Sequence, residues 1–468
     1  MVSEGPSAGA WRAPSAIRHD PNPGLLRAAL HLGYDLAWVG AVLIGFPWLL
    51  WKGVRGKGFA RRVRERLGAG LARLPAPTRP RILVHGVSVG EIKVAAAMVR
   101  AIQAAHPALE VVLSTTTDTG LSMARRLCPE KAIVRFPADP SPVVRRFLAR
   151  VRPALVLLVE LEIWPNFLRL ANKRGIPVVV VNGRITELSH GKYLGFRHLL
   201  PQFNRISLFC VQLEEYAERF LALGVDPARV LVTGNVKADA LPTGRVDPGA
   251  ELARLLGGAA LPVVVAGSTH APEEEIVARA WRASGARSRL VLVPRHPERA
   301  REIEARLAAL GFGVQSLSAL RSGEPSDIRR IALVDTIGEL EAIYGLADLV
   351  FVGGSLVAHG GQNMLEPAAQ GRAVLFGPHV ANFAQEAALL LSSGAALRVD
   401  GEQDLARAIR ELLGDEPERS RMGAAAMHVV SGQRGATART LAVLSGLVLD
   451  ELSGSPARPA AAGARIPG

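Results

Sequence analysis

At 468 residues, 49% of them hydrophobic and 5% aromatic, the chain is too long for one ordinary core and too apolar to be disordered. Cys128 and Cys210 lack CxxC or any other metal-ligand spacing, which argues against a disulfide framework and a zinc site. The formal net charge of +14 fits an anionic membrane surface or acidic small molecules better than nucleic acid, because no aromatic residues interleave with the basic clusters and no nucleic-acid module is present.

Residues 1–29 form an N-terminal extension. Leu36 to Trp51 is an uncharged, mostly apolar run that with Gly33 and Tyr34 approaches the roughly 20 residues needed to cross a hydrocarbon core. Tyr34 and Trp38 at one edge, with Trp48 and Trp51 at the other, resemble interfacial aromatic belts. Lys52, Arg55, Lys57, Arg61, Arg62, Arg64 and Arg66 follow, and the positive-inside rule puts this block and the domains after it in the cytoplasm. The pattern predicts a membrane anchor over 30–52, spanning the bilayer or lying in its interface, with the arginines drawn to anionic lipid headgroups. A cleaved signal peptide fits poorly, since the run starts late and no small-residue cleavage site follows it. Asp35 and Pro47 keep open a buried helix of a soluble domain.

Val-, Ile- and Leu-rich strands then recur between amphipathic helices: Arg81 to His85, Val111 to Ser114, Ala154 to Glu160, Pro177 to Asn182, Pro262 to Ser268, Leu290 to Arg295 and Leu349 to Gly353. Strands this continuously apolar are covered on both faces, which predicts parallel α/β layers. A turn-rich connector from Ala240 to Gly258, holding Pro242, Gly244, Pro248 and Gly249, marks the seam. The expected domains are therefore 53–240 and 241–452, followed by an Ala/Gly/Pro-rich tail over 453–468 read as disordered. In such folds ligands bind at the carboxyl ends of the strands, and the expected arrangement is two domains facing a central cleft.

Several strand ends carry chemistry. His85-Gly86-Val87-Ser88-Val89-Gly90-Glu91 opens a helix with the apolar stripe Ile92, Ala95, Ala96, Val99 and Ile102. Glu91 sits in its first turn, where it is either a complement to the helix dipole or a general base. Glu160 and Glu162 end the Ala154 strand before Ile163-Trp164-Pro165-Asn166, and alternation would put both carboxylates on one face. Ser114 to Gly120 reads as a helix cap with hydroxyls. Lys237 is placed to neutralise charge on a leaving group, and Arg295, beside His296, to clamp a phosphate. His270 reads as a hydrogen-bonding loop residue. Asp335 to Glu366 packs glycine-flexed turns after apolar runs, an anion cradle in which Ile337-Gly338-Glu339 and Asn363-Met364-Leu365-Glu366 stand out. GxxxxGK[ST], GxGxxG with a downstream acid, HExxH and Asp-x-Asp are all missing, which argues for a transfer chemistry without a metal or cofactor.

These blocks in this order resemble the Kdo (3-deoxy-D-manno-octulosonic acid) transferases of lipopolysaccharide synthesis, over most of the chain to about Leu390. The resemblance implies a GT-B fold of two Rossmann-like domains, the first for a lipid A precursor and the second for CMP-Kdo, at the inner membrane. It implies Glu91 as catalytic base, Glu160 and Lys237 as transition-state stabilisers with Glu162 the rival of Glu160, and Arg295, His296, Ile337 to Glu339 and Asn363 to Glu366 as the CMP site. Another GT-B enzyme using a UDP-sugar, or a tethered module that binds nucleotide sugar without catalysis, is the alternative.

Overall fold

The structure is a computed structural model that describes residues 29–38, 40, 59–196, 203–257 and 261–453. The N-terminal extension up to residue 28, all of the expected anchor beyond residue 40 and the tail from 454 onward lie outside the described residues. Two compact units divide the chain, one of 1–240 with 434–468 and the other Leu241–Gln433.

The first unit holds β1 (Arg81–His85), β2 (Glu110–Thr115), β3 (Ala132–Arg135), β4 (Leu155–Val159), β5 (Val178–Gly183), β6 (Leu208–Val211) and β7 (Val230–Val232). They form a sheet in the order β3-β2-β1-β4-β5-β6-β7, every pair parallel. The second holds β8 (Val263–Thr269), β9 (Arg289–Pro294), β10 (Val314–Ser316), β11 (Ile331–Leu333), β12 (Leu349–Val352), β13 (Ala373–Phe376) and β14 (Ala396–Arg398). Their order is β10-β11-β9-β8-β12-β13-β14, again parallel throughout.

The apolar runs explain both sheets. In β4, Leu155, Leu157 and Val159 enter one core while Val156 and Leu158 enter the core on the other face. In β8, Val263 and Val265 face one way and Val264 and Ala266 the other. Successive side chains of a strand point to opposite faces, so only a strand apolar at every position satisfies helices on both. Each sheet also reverses its winding beside its first strand, between β1 and β4 in the first unit and between β8 and β12 in the second. In open sheets of this kind ligands bind at that point, outside the carboxyl ends of the strands.

Three expectations change in detail. The connector Ala240 to Gly258 is not turn throughout: Gly249–Leu256 is a helix whose Leu252, Leu255 and Leu256 enter the second unit's core at helical spacing. The tail expected from residue 453 begins one residue into structure, since Ser453 ends the helix Asp450–Ser453. At the other end, 29–38 is helical, and among the described residues no helix is long and apolar enough to cross a membrane. Asp35 of that helix accepts from the Ser141 backbone N–H at 2.9 Å and from the Asn166 amide at 2.8 Å, so its polar side packs on the first unit. Leu32 and Leu36 stay exposed. Part of the basic block is likewise used inside the unit: Arg62 pairs with Asp118 at 2.8 Å, and the half-buried Arg66 lies over the Trp164 ring at 5.4 Å.

The chain returns to the first unit after Gln433. Ala436, Leu444 and Leu449 are buried in the same core as Ile82 and Val84 of β1. Asp239 accepts from the backbone N–H groups of Gly435 at 2.6 Å and Thr437 at 2.5 Å, capping the helix Ala436–Leu444.

Candidate active site

At the carboxyl end of the first unit's sheet, β1 leads into Glu91 in the first turn of the helix Val89–Ala105, and β4 leads into the Glu160/Glu162 pair. Ser88 and Glu91 form a capping box on the helix Val89–Ala105: the Ser88 hydroxyl accepts from Glu91 N at 3.2 Å, while the Glu91 carboxylate accepts from Ser88 N at 3.4 Å and Val87 N at 2.7 Å. The dipole role and a chemical role are therefore not exclusive. Two oxygens offer about four lone-pair sites, and these contacts occupy two of them. Glu91 is 9% exposed, and burial raises its pKa, with the nearby Glu160 charge adding to the rise.

Glu160 departs from strand geometry. β4 ends at Val159, and Glu160 takes a φ of 60°, a left-handed conformation that a non-glycine residue holds only when its surroundings dictate it. Strand alternation therefore does not place Glu160 and Glu162, which both lie in the loop after the strand. The turn at Glu160 is met by an ion pair, in which Lys237 Nζ donates to Glu160 Oε1 at 2.6 Å.

Lys237 is held on a single helical turn, Val236–Asp239. Asn235 caps it, accepting from Lys237 N at 3.0 Å, and Asn182 Oδ1 accepts from Val236 N at 2.9 Å. Asn182 has itself a φ of 55°, beside a register shift between β5 and β6. A Cβ built on Gly90 would lie 4.0 Å from Lys237 Nζ, so the ammonium lies against the start of the Glu91 helix.

Glu162 completes the cluster. Trp164 Nε1 donates to its Oε2 at 3.0 Å. Burial pushes its pKa up to about 7, with the charges of Glu91 and Glu160 adding to the rise. A carboxyl whose pKa rises on folding binds its proton more tightly in the native state. The stability it contributes is complete below about 4.5, the ordinary value, and disappears as pH rises through about 7. The wild type is expected to lose melting temperature from pH 5 to pH 8 relative to Glu162→Gln, and a difference that stays flat over that range would show that Glu162 titrates normally.

Ser114 to Gly120 follows the capping expectation: Thr117 accepts from Gly120 N at 3.0 Å and starts the helix Asp118–Leu127. The Trp164-Pro165-Asn166 segment is structural in large part. Asp139, 1% exposed, caps the helix Pro165–Lys173 through Asn166 N and Phe167 N, both at 2.9 Å.

In the second unit the expected donor residues sit on loops at the carboxyl end of the sheet. Arg295 and His296 follow β9; both are exposed, and His296 pairs with Glu298 at 3.2 Å. Arg295 forms no ion pair with the described residues. Ile337 to Glu339 follow β11, with Ile337 86% exposed beside Gly338 at a φ of 96°. The Glu339 carboxylate is engaged by Arg321 at 2.5 Å and by the Thr336 hydroxyl. Asn363 donates to Glu366 at 3.1 Å, at the start of the helix Leu365–Ala369. Met364 and Leu365 belong to the core of the unit, so a ligand would meet their backbone and not their side chains.

At the winding reversal of this sheet the loops after β8 and β12 nearly touch. A Cβ on Gly353 would come 2.5 Å from Thr269 Cα and 2.6 Å from the Ser268 carbonyl, closer than real Cβ atoms approach. The residue that holds these loops, Glu273, was not singled out in the sequence. It is fully buried and accepts from the backbone N–H groups of His270, Gly354, Ser355 and Leu356. Asn182 and Asp239 were also passed over as structural supports. Only Asn182 gave a signal, as asparagine ending a buried strand tolerates a positive φ. Among the described residues no group of three His, Cys, Asp or Glu side chains is placed to hold a metal ion.

Two parallel-sheet α/β units, each with polar residues gathered at its winding reversal, resemble the GT-B glycosyltransferases. The UDP-GlcNAc 2-epimerase of Neisseria meningitidis, solved bound to UDP-GlcNAc, aligns with a TM-score of 0.55 over 78% of this chain and 99% of its own, at 12% identity, a likeness of fold alone. The family model described as 3-deoxy-D-manno-octulosonic-acid transferase (kdotransferase) matches residues 61–240. The 3-deoxy-D-manno-octulosonic acid transferase of Haemophilus influenzae is 33% identical over 398 residues, which cover 84% of this chain and 92% of that protein. The Bordetella pertussis protein of the same name is 35% identical over 431 residues, 88% of this chain and 98% of its own. The chain belongs to the Kdo transferase family and is a Kdo glycosyltransferase.

Proposed function

We propose that the protein transfers Kdo from CMP-Kdo to a glucosamine hydroxyl of the lipid A precursor lipid IVA, with inversion, on the cytoplasmic side of the inner membrane. The observation that carries this is the grouping of Glu91, Glu160, Glu162 and Lys237 at the winding reversal of the first unit. Glu91 takes the proton of the acceptor hydroxyl. The hydroxyl oxygen then bonds to the anomeric carbon as the bond from that carbon to the CMP phosphate oxygen breaks, and the electron pair leaves with the phosphate. One base on one face gives direct displacement, hence inversion. Positive charge accumulates on the sugar and negative charge on the phosphate, so the Glu160–Lys237 pair offers a carboxylate to one and an ammonium to the other.

Donor binding is assigned to Arg295, His296, the Ile337-Gly338-Glu339 turn and the Asn363 to Glu366 segment, the acceptor chemistry to the first unit. The apolar run from Leu36 to Trp51 and the arginines after it support a membrane anchor and contact with anionic lipids, which suits a lipid acceptor. The test is incubation with CMP-Kdo and tetra-acylated lipid A precursor, read by mass spectrometry. The expected product is the precursor with Kdo added, and no product from UDP-sugars. Absence of the Kdo adduct, or transfer from a UDP-sugar instead, would overturn the assignment.

A further inference from the structure

Two side chains in the second unit, His270 and His359, have no part in the chemistry above and lie beside His296 of the donor assignment. His270, His296 and His359 come from the loops after β8, β9 and β12, the three central strands of the sheet. The rings of His270 and His359 stack with centroids 4.3 Å apart and 22° between their planes. His296 stands edge-on to His270 at 5.8 Å.

His270 is the member whose orientation is fixed. Its backbone N–H donates to Glu273 at 2.9 Å, and the same carboxylate accepts from Gly354 N at 2.6 Å and from Ser355 N and Leu356 N at 2.9 Å. One buried carboxylate thus ties the His270 loop to the glycine-rich loop after β12. On the ring, Nε2 lies 3.1 Å from the side-chain nitrogen of Gln362. An amide nitrogen only donates, so with the amide assigned this way Nε2 accepts and the ring proton sits on Nδ1. Nδ1 has no hydrogen-bond partner among the described residues. It is an oriented donor at the end of the sheet where ligands of this fold class bind.

The ring is neutral at neutral pH. Burial, with the neighbouring charges of His359, His296, Arg295 and Arg299 acting in the same direction, lowers the His270 pKa to about 4. Glu298 pairs with His296, and Glu274 pairs with Arg299, so the carboxylates on these elements are already engaged. Exposed Arg295 completes the group of donors at this end of the sheet.

We propose that His270 is a donor-binding residue, whose Nδ1–H donates to a phosphate oxygen of the nucleotide while Gln362 fixes its tautomer and His359 its plane. The proposal rests on the donor assignment above and adds a contact that the sequence motifs did not supply.

Calorimetric titration with CMP and with cytidine separates the two. His270→Ala is expected to weaken CMP binding about 10- to 100-fold, the range of a hydrogen bond to a charged group, and to leave cytidine binding unchanged. Gln362→Leu, which frees the tautomer, is expected to weaken CMP several-fold and cytidine not at all. Equal CMP affinity in His270→Ala and wild type overturns the proposal, as does an equal loss for CMP and cytidine, which would mark a merely structural role. If His270→Ala does not fold, His359→Ala at an exposed position makes the same comparison, and unchanged CMP affinity there overturns the proposal, in which His359 sets the plane of the His270 ring. A wild type that binds UDP in place of CMP contradicts the donor assignment instead, and a loss of UDP but not uridine binding in His270→Ala would still support the contact.

Discussion

Glutamine in place of Glu91 is expected to lower kcat by about 10²- to 10⁴-fold, the usual contribution of a positioned general base, while stability stays near that of the wild type. The two effects separate because Glu91 has two duties. Its carboxylate closes the capping box on the helix Val89–Ala105, accepting from Val87 N and Ser88 N. Glutamine keeps a carbonyl oxygen for that purpose and is an accepted partner in capping boxes, but it takes no proton. Alanine removes both functions and is expected to cost about 1–3 kcal/mol of stability besides the activity, because Val87 N and Ser88 N lose their acceptor. Chemical denaturation of both variants, set beside their kcat for Kdo transfer, distinguishes the roles. Full activity in Glu91→Gln would leave Glu91 as a cap alone, with Glu162 the next candidate base because its raised pKa, about 7, already suits proton transfer near neutral pH.

Ser88-x-x-Glu91 has the spacing of a capping box, a local signal beyond the helix-dipole role read for Glu91, and the central strands were legible because unbroken apolar runs between turn residues have few alternatives. β1, β4, β8 and β12 fall within a residue or so of where their composition puts them. The three-residue strands, such as β7, β10 and β14, carry too few side chains to show a period, and sheet neighbours define them instead. The helix Gly249–Leu256 was hidden because a proline and a glycine at its start read as turn, although proline before the first turn is also a helix signal. At the site, residue types were legible and their geometry was not. Nothing local announces that Glu160 adopts a φ of 60°, since glutamate gives no such signal. Nor does any local pattern join Glu160 to Lys237 or Asp239 to Gly435. Those pairs exist because parallel strands bring distant loops to one end of a sheet.

Lys237→Met is expected to reduce kcat by about 10²- to 10³-fold with little loss of stability. The ion pair with Glu160 is short, but the two side chains are 37% and 22% exposed, and pairs open to solvent contribute only about 0.2–1 kcal/mol. A pair that adds so little to folding is nonetheless held with care. Asn235 and Asn182 cap the turn that carries Lys237, Asp239 fastens the end of that turn to the helix Ala436–Leu444, and Glu160 accepts a backbone conformation that costs on the order of 1–3 kcal/mol. Strain that folding does not need is best explained by placement of the charges. Lys237→Met also leaves Glu160 with no cation, so part of the lost activity reflects a displaced carboxylate and not the missing ammonium. A double-mutant cycle with Glu160→Gln resolves this: if the two act as a unit in the transition state, the double variant is little worse than either single one, and independent roles would make the losses multiply. Wild-type kcat in Lys237→Met would remove both residues from the chemistry and leave the strained turn at Glu160 as a feature of the fold.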